Sequence, residues 1–187
     1  HSHVRYAIPS KFMAPASLEF KGVVSDFLFL RLITFTGDLI GKKQAIDNKV
    51  KEYILASMET ITDLDPRFWD PYLFASLMLS WDLGEYETAN KVLEKAANNL
   101  KNDYRPYYFM GFNSYYFMKD NSKGAEYIIK ASKLPDAPEW LSYLATRLSV
   151  YSARHEDAAA FLTQMIKNAN NPSFARTLKM RLKTIED

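Results

Sequence analysis

Hydrophobic positions recur with helical spacing over most of the chain, and the polar breaks between them divide it into paired segments. Phe27, Leu28, Leu30 and Ile33 read as one apolar helix. Ile46, Val50, Ile54, Met58 and Ile61 follow at three- and four-residue steps and read as a second. Leu64-Asp65-Pro66 closes this pair. Further helices are predicted over 67–82 and 86–100, 104–118 and 122–133, 138–153 and 156–169, with a last one over 173–185 after the Asn170-Asn171-Pro172 break. Pro9 and Pro15 hold residues 1–15 extended, and Ser17 is a candidate N-cap for the first helix, which should end at Thr36-Gly37-Asp38. The pattern predicts about nine helices in a single helical domain over 16–187.

Three of the breaks resemble one another. Leu83-Gly84-Glu85-Tyr86-Glu87-Thr88-Ala89, Lys119-Asp120-Asn121-Ser122-Lys123-Gly124-Ala125 and Ala153-Arg154-His155-Glu156-Asp157-Ala158 each end an aromatic-rich helix and open the next with a small residue. Ala89, Ala125 and Ala158 stand 36 and 33 residues apart, in the range of helix-turn-helix repeats. Aromatics sit early in each first helix at Tyr72, Tyr107 and Trp140, and one turn on come Ala75-Ser76, Met110-Gly111 and Tyr143-Leu144.

These positions resemble the tetratricopeptide repeat. The resemblance implies an all-α fold, a right-handed α-solenoid of antiparallel helix hairpins, with repeats near 20–66, 67–102, 103–136 and 137–170 and a polar capping helix over 173–185. The third unit departs from the pattern at Tyr143-Leu144. One or two extra residues separate Ser76 from Ala89, Gly111 from Ala125 and Leu144 from Ala158, so the first helices or their turns should run longer than the usual repeat. A second resemblance rests on Val23-Val24-Ser25-Asp26-Phe27-Leu28-Phe29-Leu30-Arg31, Leu64-Asp65-Pro66-Arg67-Phe68-Trp69 and Met110-Gly111-Phe112-Asn113. It is to bacterial tetratricopeptide proteins with an N-terminal membrane anchor and no assigned activity. It implies a cell-envelope location on the periplasmic side, with membrane association through an anchor absent from this chain; a cytoplasmic location is the alternative.

In such arrays the first helix of each unit lines a concave face. Carried onto this chain, the ligand-facing positions are Arg105, Tyr108, Phe112, Tyr115 and Tyr116, with Asp70, Leu73 and Leu77 before them and Leu141, Ala145 and Leu148 after. That set predicts an apolar, aromatic groove for a partner's apolar helix or extended segment. The competing expectation is that the same aromatics fill the groove from within, because a helix apolar on every side must be buried or covered. Tyr108 and Phe112 stand where chaperone-binding members place polar carboxylate-gripping residues, which argues against that use.

Composition narrows the alternatives. An apolar share of 48% with 14% aromatics excludes a chain that is mainly disordered. A net charge of +2 provides no strong field for nucleic acid, so an RNA-binding module, which would set stacking aromatics in a basic groove, is the secondary reading. With no cysteine there are no disulfides or thiolate chemistry. The three histidines, His1, His3 and His155, form no pair suited to a metal or a nucleophile–base unit, so no catalytic group, metal site or cofactor is expected. Asp63, Asp65 and Asp70 read as turn and capping residues around Pro66. Asp26 and Arg31 interrupt the most apolar helix at a spacing of five, which does not pair them along it; each is expected to meet another helix, face solvent or mark a docking face. The run from Val23 to Phe35 is shorter than the roughly 20 apolar residues of a membrane span. Partner identity and assembly into oligomers are left open.

Overall fold

The computed structural model describes residues 20–42, 46–150, 162–163, 166–167 and 172–186. Among them eight α-helices occur and no strand. We number them α1 (Lys21–Gly41), α2 (Asn48–Leu64), α3 (Trp69–Leu77), α4 (Tyr86–Asn99), α5 (Arg105–Phe112), α6 (Asn121–Ser132), α7 (Trp140–Val150) and α8 (Pro172–Glu186). The chain divides into two compact units, His1–Lys101 and Asn102–Asp187. The proposed Ser17 cap, His155 and most of the 156–169 helix lie outside the described residues.

In the first unit α1 and α2 run antiparallel: Ser25 near the start of α1 donates its Oγ to the Ile61 carbonyl near the end of α2 at 3.1 Å, whereas Phe35 packs edge-on against Tyr53, 4.9 Å between ring centres. Phe29 reaches from α1 to Phe68 and to Phe74 on α3 in two more edge-to-face pairs. The core between these helices is Phe29, Leu32, Ile54, Met58, Ile61, Ala75 and Met78. α4 lies parallel to α2, because Lys51 at the start of α2 pairs with Glu85 and Lys95 near the end of α4 pairs with Asp63 at 2.7 Å. Asp47 caps α2 by accepting from the Val50 N–H at 2.9 Å.

The buried side of α1 differs from the expected one. Ser25, Phe29, Leu32, Thr36 and Leu39 face the core, while Phe27, Leu30 and Ile33 are exposed. Both sides of this helix are apolar, so helical spacing alone selects neither. The two hydroxyls on the buried side are satisfied on carbonyls, Ser25 on Ile61 and Thr36 on Leu32, so their burial costs little.

Both first helices, α3 and α5, end in a π-helical turn, Met78–Asp82 and Asn113–Phe117. The two turns close identically. Leu83 N–H donates to Met78 O and Glu85 N–H to Leu79 O; 35 residues on, Met118 N–H donates to Asn113 O and Asp120 N–H to Ser114 O. Gly84 and Lys119 take positive φ at the corresponding places, +67° and +56°. A π turn holds one residue more than an α turn. It therefore adds one residue to the end of each of these two helices.

In the second unit α5 and α6 cross antiparallel with almost no side chain between them. A Cβ on Gly111 would lie 2.7 Å from Ile128 Cδ1 and 3.2 Å from the Gly124 carbonyl; one on Gly124 would lie 2.8 Å from Tyr115 Cβ. Gly124 thus stands where Ala89 stands one repeat earlier, and the residue expected there, Ala125, is its buried neighbour. Asp120 caps α6 by accepting from the Lys123 N–H at 2.9 Å, and α7 packs on α6.

Candidate functional site

Each expected groove residue has a definite place in its own unit. In the second, Tyr108 and Phe112 are 3% and 1% exposed, and Tyr115, Leu141, Ala145 and Leu148 are buried as well. Tyr108 meets Trp140 of α7 edge to face at 5.4 Å and Phe109 at 5.5 Å. Phe112 stacks on Tyr116 at 5.4 Å with rings 21° apart and meets Phe117 edge-on. These aromatics are held by one another and by α7, so in this conformation they form core. Their burial has an electrostatic consequence. Desolvation, with a smaller push from Tyr104, raises the Tyr108 phenol well above its ordinary value, and burial also raises Tyr104.

What remains accessible on this face is smaller and more polar. Tyr116 is half-buried, with the Lys119 ammonium 4.9 Å above its ring. Arg105 is also half-buried and is oriented by Asp103, whose carboxylate accepts from Arg105 Nε at 2.9 Å and from an η nitrogen at 2.5 Å. A guanidinium fixed this way presents its plane in a single orientation. In the first unit Leu73 and Leu77 are half-buried on α3 and Asp70 is exposed at its first turn.

The carboxylates around Pro66 serve structure. Asp65 accepts from the Arg67 N–H at 3.1 Å, and Asp63 holds Lys95, which also donates to Thr62 Oγ1 at 2.9 Å. Tyr72 donates to the Pro66 carbonyl at 3.2 Å and accepts from Asn99, tying the start of α3 to the end of α4. Among the described residues no cluster of three or more His, Cys, Asp or Glu could hold a metal ion, and no helix is long and apolar enough to cross a membrane.

A surface that periodicity did not single out lies on α1. Of the eight exposed large hydrophobic residues among those described, six are Phe20, Val23, Phe27, Leu30, Ile33 and Ile40, all on one helix and its N-cap. Asp26 and Arg31, expected either at another helix or in solvent, are exposed beside them. The available signal was that α1 has too many apolar residues for a single buried face. No known family, curated protein or solved structure matches this chain.

Proposed function

We propose that this chain is a non-catalytic protein–protein interaction scaffold of the tetratricopeptide type, a right-handed solenoid that binds an apolar helix or extended segment of a partner within a bacterial cell envelope. The observation carrying this reading is the equivalence of the two hairpins at a 35-residue interval, down to the paired closing bonds of their π turns. The parallel course of α2 and α4 supports it, since stacked hairpins set their second helices side by side. With Tyr108, Phe112 and Tyr115 in the core, the contact surface on the first helices falls to the accessible residues: Leu73, Leu77 and Asp70 in one unit, Arg105 and Tyr116 in the other.

Capture from a membrane extract tests the reading. Wild-type bait and variants Leu73→Ser/Leu77→Ser and Arg105→Ala/Tyr116→Ala, each first shown to keep its helical signal, are compared. A protein retained by the wild type and lost with either variant is the expected result. The reading fails if every bait retains the same proteins or none.

A further inference from the structure

α1 carries two apolar faces, and only one is used inside its own unit. Ser25, Leu32 and Leu39 mark the buried face at seven-residue steps. On the opposite side Phe20, Val23, Phe27, Leu30, Thr34 and Gly37 recur at alternating steps of three and four, all exposed; Val23 is 65% exposed, Phe27 and Leu30 63%. Alternating three and four is the 3.5-residue period of a coiled-coil seam, with Phe20, Phe27 and Thr34 at one core position and Val23, Leu30 and Gly37 at the other. The polar member does not spoil the seam, since Thr34 gives its hydroxyl to the Leu30 carbonyl at 2.9 Å. A Cβ at Gly37 would meet nothing within 4 Å, so close approach there is unobstructed.

We propose that a second copy of this chain docks along this face, forming a parallel two-stranded pair of α1 helices in which Asp26 of each copy faces Arg31 of the other. The charges select this occupant. In the heptad set by the seam, Asp26 falls on the position just before a core residue and Arg31 on the position just after the next core pair. The five-residue offset that keeps them from pairing along one helix is the offset at which parallel coiled coils pair across two. Two such pairs form by symmetry. Asp38, at the next position of Arg31's kind, faces Ile33 of the second copy and can turn to Lys42 on its own helix, 3.9 Å away. A helix lying on a lipid surface carries basic residues along its flanks; these flanks carry Asp26, Arg31 and Asp38. Among the described residues of the first unit, α2 and α3 pack on the opposite side of α1, against Phe29 and Leu32. This inference does not depend on what the repeats bind.

Sedimentation and cysteine cross-linking test it. The wild-type protein is expected to sediment as a dimer that Leu30→Glu converts to a folded monomer. Asp26→Arg or Arg31→Asp alone should raise the dimer Kd about tenfold, and an equimolar mixture of the two should restore it as a heterodimer. The chain has no cysteine, so single replacements report without background. Val23→Cys and Leu30→Cys should each form a disulfide with its own copy, as parallel alignment brings both like pairs together. A monomeric wild type overturns the proposal, as does a dimer indifferent to Leu30→Glu. Cross-linking at only one of the two sites overturns the parallel arrangement, and a monomer that binds lipid vesicles through Leu30 assigns the face to a membrane surface instead.

Discussion

Lys119 stands 35 residues after Gly84 and takes the same left-handed backbone, φ +56° against +67°, although only Gly84 lacks the Cβ that makes this region costly. Both residues sit just past a π-helical turn, where the chain must reverse before the next helix begins. Lys119 bears the strain that Gly84 avoids, and its ammonium over the Tyr116 ring offsets part of it.

Replacing Lys119 with Gly should therefore raise stability, by about 1 kcal/mol, while Gly84→Ala lowers it by a similar amount. Urea unfolding monitored by circular dichroism measures both, and the opposite signs at equivalent positions are the diagnostic feature.

The crossing of α5 and α6 depends on two missing side chains, but unequally. Each Cβ would meet the other glycine's carbonyl at 3.2 Å, but the nearest obstruction at Gly111 is the Ile128 side chain, which can shift, whereas at Gly124 it is Tyr115 Cβ at 2.8 Å with its Cα at 3.2 Å, which cannot move without the helix. Gly124→Ala should cost more than Gly111→Ala, about 3 against about 1 kcal/mol. Ile128→Ala in the Gly111→Ala background should show a smaller added loss than Ile128→Ala alone, because it removes the clash.

Ser114 is fully buried and its hydroxyl has no hydrogen-bond partner among the described residues, whereas the equivalent position one repeat earlier is Leu79. Ser114→Ala should leave stability unchanged or raise it by up to about 1 kcal/mol, because it removes a desolvated polar group without opening a large cavity. A loss comparable to a broken buried hydrogen bond would contradict this.

The hairpin limits were legible in the sequence because each has a local cause. Gly84 and the Asp120 cap bound α4 and α6, and the expected 86–100 and 122–133 lie within a residue of what is observed. Three other features were not legible. The π turns appear in sequence only as a residue too many, which a longer helix or a longer loop would equally explain. Gly124 and Ala125 are adjacent and both small, so only the crossing geometry shows that Gly124 meets Gly111. The fate of Tyr108 and Phe112 was likewise undecided, because a segment apolar on all sides does not reveal which side a neighbouring helix covers; in the structure Trp140 of α7 packs on Tyr108.

Alkaline pH should weaken the fold. Burial raises the phenols of Tyr72, Tyr104 and Tyr108 above their value in the unfolded chain, so the folded state holds protons that the unfolded state releases. Stability from these groups is fully present below about pH 10 and is lost as the pH rises beyond it. Phenolate absorbance should show these three tyrosines ionising with or after unfolding.

The aromatic run of α5 is either core or an open groove, and denaturant unfolding of the Tyr108→Ala/Phe112→Ala variant separates the two most directly. Each truncation of a buried aromatic costs about 3–5 kcal/mol, so the double variant should lose most of its stability and much of its cooperative transition. A transition midpoint close to that of the wild type would contradict the account and return these residues to an accessible groove.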